Sequence, residues 1–365
     1  MNYRIEKHSG ESAYLQLYRQ LRRDIVSGAL PEGTKLLSKR GFAEELGLSV
    51  ITVEHALALL VDEGYLLSRP RSGFYVCFGG ASAAAVPPKR ARLEDMRVGE
   101  GAPEDFPFSL WARTMRAVLS DYDRHILDRC PSKGCLGLRE ALAAWLGRSR
   151  GLTVDPEQIV VGAGAEYLYG LIVQLLGRAR PFALEDPCYD QIRRVYEANG
   201  AVCLPLPMGE DGIRSEALAS CEAGVLHVTP YHSYPSGVTA SAAKRHEYVA
   251  WAKARDSLIV EDDYDAAFAS PTRRIQTVYS LDPDRVIYLN TFSKLLAPSV
   301  RTGFLVLPQG LLDAYQARLD FYSCTVPVFD QLVLAEFINA GHMERYISRR
   351  RRVMQRTEES ACCII

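Results

Sequence analysis

The sequence predicts two unlike domains, a small helical one closed by a β-hairpin and then a large α/β one. Three observations predict this division. Before residue 77, short amphipathic stretches separated by glycine-bearing turns lead into an alternating run. Beyond residue 102, apolar strand-like runs end in glycine turns, hydroxyl residues or acids, and a helical stretch follows the first of them. Between the two, Phe78 to Pro88 is rich in glycine, alanine and proline and Lys89 to Arg97 is charged, a composition that reads as a flexible linker. The expected boundaries are 11–77, 78–101 and 102–365.

In the first domain, Leu15, Tyr18, Leu21, Ile25 and Val26 put one apolar face on a helix from Tyr14 to Ser27. Gly28 to Gly33 ends it. Ser38 is positioned to cap a second helix through Leu46, and Gly47-Leu48-Ser49 turns the chain into a third, Val50 to Glu63. Two short helices joined by a glycine turn meet the need of a helix-turn-helix, whose second helix enters the DNA major groove. A plain three-helix bundle has the same pattern. Gly64 to Val76 then alternates around Gly73 as a β-wing would, with Arg69 and Arg71 where a wing meets phosphate.

In the second domain, Gln158 to Val161 is a β-run that enters Gly162-Ala163-Gly164, and an apolar stretch of helical length follows from Tyr167 to Leu176. Backbone N–H groups at such a helix start bind anionic phosphate. The dinucleotide fingerprint does not fit, since no spaced third glycine or ribose-binding acid follows. Glu185-Asp186-Pro187-Cys188-Tyr189 and Thr229-Pro230-Tyr231-His232-Ser233-Tyr234-Pro235 are loops after short apolar runs, and each offers aromatic or polar groups to a ring. Leu258 to Val260 runs into Glu261-Asp262-Asp263-Tyr264-Asp265. Such a cluster holds magnesium in some proteins, but no phosphate-loop lysine motif or second carboxylate cluster accompanies it. A buried carboxylate there would instead keep a pyridine nitrogen protonated, making the ring an electron sink. Val286 to Asn290 then leads to Thr291, Ser293 and Lys294, with Arg301 beyond. A lysine forms an imine with an aldehyde cofactor once its amine loses a proton, which an apolar or cationic setting favours. Thr291, Ser293 and Arg301 offer phosphate donors.

The 365 residues, 48% hydrophobic and 24% charged, suffice for one large core and one small one. A formal charge of −1 excludes wholesale coating of nucleic acid, so DNA binding is expected to be local to the first domain. The KRAR segment at 89–92 reads as a solvated patch or a short nucleic-acid arm. Nine scattered cysteines without paired zinc spacing, and no signal peptide, point to a reducing cytoplasm. Cys362-Cys363-Ile364-Ile365 lacks the polybasic support of a prenylation signal. No apolar run is long enough to span a membrane.

In order, GAGAE, EDPCY, TPYHSYPSG, EDDYD and TFSKLLAPSVRTGF resemble fold-type I aminotransferases, most closely the MocR subfamily of GntR-type regulators. The stretch from YLQLYRQLRRDI to GFYV resembles the GntR winged helix-turn-helix. The resemblance implies pyridoxal 5'-phosphate as cofactor, with Lys294 as its aldimine lysine. It also implies Asp262 as the pyridinium partner and Tyr264 as donor to the ring oxygen. Tyr189 would stack on the ring. Ala165 and Glu166 would cradle phosphate with Thr291, Ser293 and Arg301, and His232 would lie near the cofactor. For DNA it implies Lys39, Arg40, Ser49, Thr52, His55, Arg69 and Arg71.

Two departures bear on the interface. Leu37 stands where the family usually has proline, and Val50 where it usually has arginine. The expected reading helix therefore carries Glu54 and His55 with little positive charge, which implies lower DNA affinity and a shallower salt dependence. At the carboxyl end the chain enters a basic helix, Glu344 to Val353, and closes soon afterwards. The small αβ domain that bears the family's carboxylate-binding arginine is expected to be largely absent.

The expected function is a cytoplasmic, dimeric transcription regulator that binds DNA and senses an amino acid or amine through an aldimine at Lys294. The alternatives are a pyridoxal phosphate-dependent aminotransferase with a vestigial DNA-binding domain, or an inactive remnant that folds poorly.

Overall fold

The computed structural model describes residues 3–6, 11–70, 72–78, 103, 105–268 and 276–362, with side chains through Val353 at the carboxyl end. Arg71, the KRAR segment and the expected linker apart from Phe78 lie outside the described residues. Contacts divide the chain into two compact units, Met1–Arg97 and Val98–Ile365.

The first unit holds helices α1 (Ala13–Val26), α2 (Lys39–Leu46) and α3 (Val50–Asp62) and the hairpin strands β1 (Leu66–Arg69) and β2 (Gly73–Val76). Its core follows the apolar faces read from the sequence: Leu17, Leu21 and Ile25 of α1 pack with Phe42 of α2 and Val53, Leu57 and Leu60 of α3. Each of these is at most 1% exposed, which at about 1.5–3 kcal/mol per large apolar side chain is the main term holding so small a unit together. Ser38 and Ser49 cap α2 and α3, their Oγ atoms accepting from Gly41 N and Thr52 N at 3.1 Å. Gly47 ends α2 at φ 63°, a left-handed conformation that glycine adopts without steric cost. In the hairpin, Leu66 pairs with Val76 and Arg69 with Gly73. The third helix stops one residue short of the expected Glu63, which serves as its C-cap.

The second unit is an eight-stranded sheet between two layers of helices. Its strands are β3 (Ile159–Gly162), β4 (Phe182–Asp186), β5 (Cys203–Gly209), β6 (Gly212–Ile213), β7 (Val225–Val228), β8 (Leu258–Asp262), β9 (Val286–Thr291) and β10 (Gly303–Val306). They lie in the order β3-β10-β9-β8-β7-β4-β5-β6. The central strands β9, β8, β7, β4 and β5 are parallel, while β10 runs antiparallel to both β3 and β9. The helices are α4 (Phe108–Tyr122), α5 (Leu136–Arg150), α6 (Ala165–Leu176), α7 (Asp190–Ala198), α8 (Ser215–Ser220), α9 (Ala242–Arg255), α10 (Phe292–Leu295), α11 (Leu312–Leu319), α12 (Val328–Asn339) and α13 (His342–Cys362).

Strand alternation divides the core in two. Ile159, Val161, Ile259 and Tyr288 face one helix layer, and Val160, Val260, Ile287 and Leu289 face the other. The same alternation splits the acidic cluster, placing Glu261 and Asp263 on one face and Asp262 on the opposite one. Glu261 accepts from Val278 N and Tyr279 N at 2.9 and 2.7 Å, while Asp263 pairs with Arg150 and Tyr288. Three consecutive acids therefore have separate partners, and no group of acids, histidines or cysteines among the described residues is arranged to hold a metal.

Two expected boundaries move. Helix α6 begins two residues before Tyr167, because Gly164 at φ 87° completes the turn and Ala165 is already helical. Beyond β9, Lys294 sits on the single turn of α10, which Thr291 Oγ1 caps through Ser293 N. The basic helix extends from His342 to Cys362.

Candidate cofactor site and nucleic-acid surface

Strands β3, β4, β7, β8 and β9 end on one edge of the sheet, where β10 begins, and ligands of open α/β sheets bind beyond such carboxyl ends. A cavity of about 560 Å³ opens there. Seven of the expected residues line it: Ala165, Tyr189, Asp262, Tyr264, Thr291, Ser293 and Lys294. Tyr169, Ile192, Thr229 and Tyr234 line it too.

Asp262 is 4% exposed. Its Oδ2 takes the Tyr169 hydroxyl at 2.5 Å, while its Oδ1 is buried and has no hydrogen-bond partner among the described residues. Burial pushes this carboxyl up to about 7, against the Tyr169 hydrogen bond and with Asp263 adding to the rise. Behind it, His227 Nε2 lies 3.9 Å from Asp262 Oδ2, and His227 Nδ1 meets the Tyr196 hydroxyl at 2.7 Å. Burial lowers His227 to about 3, so this ring is neutral.

Lys294 Nζ stands 3.1 Å from Asp265 Oδ1 and 4.5 Å from the centroid of the Tyr264 ring. The apolar or cationic setting expected for this amine is therefore corrected to an anionic one. Asp265 follows from the short loop after β8, which brings its carboxylate back toward α10; its other oxygen meets His232 Nδ1 at 3.1 Å. Tyr264 spends its proton on the His232 carbonyl oxygen at 2.8 Å, and burial pushes the phenol up to about 12. His232 does not line the cavity. It stands behind Tyr264 at φ 50°, stacked on Tyr231.

The phosphate-type donors converge at the start of α6. Arg301 Nη1 lies 3.4 Å from Ser293 Oγ, Arg301 Nη2 lies 3.2 Å from Glu166 Oε2, and Thr291 Oγ1 is 3.4 Å from Ser293 Oγ. A Cβ on Gly164 would come within 2.9 Å of Arg301 Nη2, so the turn is packed against the guanidinium. Arg301 and Glu166 stand beside the cavity without lining it.

This donor set fits pyridoxal phosphate on grounds of its own. The buried, unpartnered Asp262 oxygen is an acceptor awaiting an N–H, and an amine and an arginine-hydroxyl cradle flank the same space. Tyr169 was missed because α6 reads as continuously apolar; the signal was a phenol within it, a group that needs a partner when buried. Asp265 was quoted within its cluster but not singled out, since sequence does not show which of four acids reaches the lysine.

In the first unit, Ser49, Thr52 and His55 occupy the first two turns of α3, with Ser49 and His55 exposed. Ser49 Oγ and Thr52 Oγ1 bond each other at 2.8 Å, and His55 packs edge-on against Tyr14. Arg40 and Arg69 are exposed, Arg69 lying over the Tyr75 ring. Lys39 is paired with Glu54 of α3, so one of the few cations beside the reading helix is already neutralised. Among the described residues no helix is long and apolar enough to cross a membrane.

Residues 95–360 match the family model "Aminotransferase class I and II", and residues 13–76 match "Bacterial regulatory proteins, gntR family". The chain is 33% identical over 355 residues to the HTH-type transcriptional regulator YdeL of Bacillus subtilis, covering 94% of this chain and 77% of that protein. It is 30% identical over 375 residues to the "Probable rhizopine catabolism regulatory protein MocR" of Rhizobium meliloti, covering 96% and 76%. A kynurenine aminotransferase of Pyrococcus horikoshii superposes with a TM-score of 0.63 at 26% identity, over 70% of this chain and 66% of the other. The chain thus spans about two thirds of that aminotransferase's length.

Proposed function

The chain belongs to the MocR-type regulators, in which a GntR-family DNA-binding domain precedes an aminotransferase class I and II domain, and from that premise we propose that it senses an amino compound at Lys294. The observation that carries the proposal is Asp262 Oδ1, buried in the cavity that Lys294 also lines and without a hydrogen-bond partner among the described residues. Pyridoxal phosphate supplies there an aldehyde that condenses reversibly with primary amines, on a ring that withdraws electrons when its nitrogen is protonated.

Each residue then has a task. Asp262 would be the residue that keeps the ring nitrogen protonated, with the Tyr169 hydroxyl fixing one of its oxygens. Tyr189, 45% exposed in the cavity wall, would stack on the ring. Arg301, Ser293, Thr291 and the N–H groups of Ala165 and Glu166 would hold the phosphate, Arg301 giving up its Glu166 contact to do so. Asp265 holds the Lys294 amine as its ion-pair partner, and His232 steadies Asp265. Tyr264, whose proton is engaged, orients Lys294 through its ring. Lys294 would be the amine that an arriving effector amine replaces, and Asp265 would hold Lys294 when it is free.

On this reading the regulator is a cytoplasmic homodimer, with a winged domain at 11–77, a linker at 78–101 and the sensing domain at 102–365. The effector biases the dimer between two arrangements that differ in DNA affinity. The Lys39–Glu54 pair favours a second reading, an aminotransferase with a vestigial DNA-binding domain. Measured turnover of an amino donor and keto acceptor without any operator binding would select it.

The test is spectroscopic. Purified protein mixed with pyridoxal phosphate should develop the visible band of a lysine-bound cofactor, and Lys294→Ala should not. An equal band in the variant sinks the proposal.

A further inference from the structure

Cys130, Cys135 and Cys324 meet away from the cofactor cavity, around the fully buried amide of Gln331. Cys130 Sγ and Cys135 Sγ are 3.8 Å apart. Gln331 Nε2 donates to Cys130 Sγ at 3.1 Å and lies 3.5 Å from Cys324 Sγ, while Gln331 Oε1 accepts from Cys135 N at 2.7 Å. Cys324 Sγ is also 3.4 Å from the Val161 carbonyl oxygen, an acceptor that competes for its proton. The same amide nitrogen donates to the Val326 carbonyl oxygen at 2.7 Å, and of the two sulfurs it reaches Cys130 is the nearer.

That asymmetry has a chemical consequence. Hydrogen bonds from Cys135 first, then from Cys324 and Gln331, pull Cys130 well below the usual thiol range. The bond each makes to Cys130, together with burial, pushes Cys135 and Cys324 up. Thiolate, not thiol, is the nucleophile. Cys130 is 9% exposed and Cys135 only half-buried, so a small oxidant has a way in.

We propose that Cys130 and Cys135 form a peroxide-reactive dithiol site, with Cys130 as the attacking sulfur and Cys135 as the resolving one. Cys130 sulfur attacks one peroxide oxygen, forming an S–O bond as the O–O bond breaks and the other oxygen leaves as water. Cys135 sulfur then attacks Cys130, forming the S–S bond and expelling the hydroxyl, which leaves as water with the Cys135 proton. Two thiols lose two electrons in total, and one peroxide becomes two waters.

The disulfide draws the sulfurs from 3.8 Å to about 2.05 Å. The intervening loop cannot absorb this freely. Lys133 O accepts from Val161 N at 3.0 Å, and Gly134, at φ 94°, is packed so closely that a Cβ would meet the Val161 side chain at 2.8 Å. Val161 belongs to β3, which feeds the Gly162–Gly164 turn; Ala163 N in that turn donates to Thr325, the neighbour of Cys324. Oxidation therefore displaces the phosphate cradle, a consequence that rests on the cofactor reading above.

Stoichiometric hydrogen peroxide on the full chain without cofactor, followed by alkylation and peptide mapping, tests the site. The expected product joins the Cys130 and Cys135 peptides with a loss of about 2 Da, is absent in Cys130→Ser, and gives way in Cys135→Ser to a sulfenic acid on Cys130 trapped by a 1,3-dione. A link to Cys324, or oxidation of exposed Cys77 with no linked peptide, overturns the proposal, and wild-type mapping decides this even if a variant folds poorly. Oxidised protein should then bind pyridoxal phosphate roughly tenfold more weakly than reduced protein. Equal affinity with the link present overturns the coupling alone, and no binding by either form counts against the cofactor site while leaving the thiol result standing.

Discussion

Lys294 and Asp265 form an ion pair at 3.1 Å, so the amine proposed to capture the cofactor is held by a carboxylate from the loop after β8. The lysine side chain is half exposed and Asp265 is 13% exposed, an arrangement that water screens on one side only.

Asp265→Asn should load cofactor faster than the wild-type protein. A partly exposed pair contributes about 0.2–1 kcal/mol, so releasing Lys294 from it should raise the loading rate by up to about fivefold in stopped-flow absorbance. A slower rate would mean that Asp265 acts chiefly as the base.

Asp262→Asn separates cofactor binding from stability. Removing one partner of a buried charge pair costs about 2 kcal/mol or more, so pyridoxal phosphate should bind roughly thirtyfold more weakly by equilibrium titration. Retained affinity would move the pyridinium partner elsewhere.

The same variant has a signed pH dependence without cofactor. Asp262 has its carboxyl raised by burial to about 7 from an ordinary 3.8, so the folded state holds this proton more tightly than the unfolded one. Its contribution is full below pH 4 and is lost as pH rises through 7. The variant, which carries no charge there, should differ least from wild type near pH 4 and melt progressively higher than wild type as pH rises to 8. Identical pH profiles would show that Asp262 ionises freely.

Glu54→Gln should free Lys39 for phosphate. If Lys39 then makes one more contact, the slope of log Kobs against log salt steepens by about 0.9, and fluorescence anisotropy at low salt should show severalfold tighter DNA binding. An unchanged slope would place Lys39 off the interface.

Gly164→Ala tests the phosphate turn. A Cβ there would meet the mobile end of Arg301, and φ 87° strains any other residue by about 1–2 kcal/mol. Modest loss of stability with a large loss of cofactor affinity is expected. The reverse pattern, seen by thermal melts and titration, would make Gly164 a folding residue alone.

Periodicity and turn chemistry sufficed for the small domain, because Ser38, Gly47 and Ser49 mark their helix ends by local hydrogen bonds and local φ. The strand-to-turn junction at Gly162–Gly164 and the strand bearing Asp262 were legible for the same reason. What sequence left open was pairing at a distance. Asp265 reaching Lys294, Tyr169 reaching Asp262 across 93 residues, and Lys39 meeting Glu54 all depend on how elements cross. The three acids at 261–263 show the limit most plainly: alternation alone sends Asp262 to one face, but only the packed sheet supplies the partners that hold Glu261 and Asp263 and leaves one oxygen of Asp262 unpaired. Local sequence determined where the chain bends and which faces are apolar. Tertiary packing decided which charges are neutralised and which remain available, because that depends on distances between segments far apart along the chain.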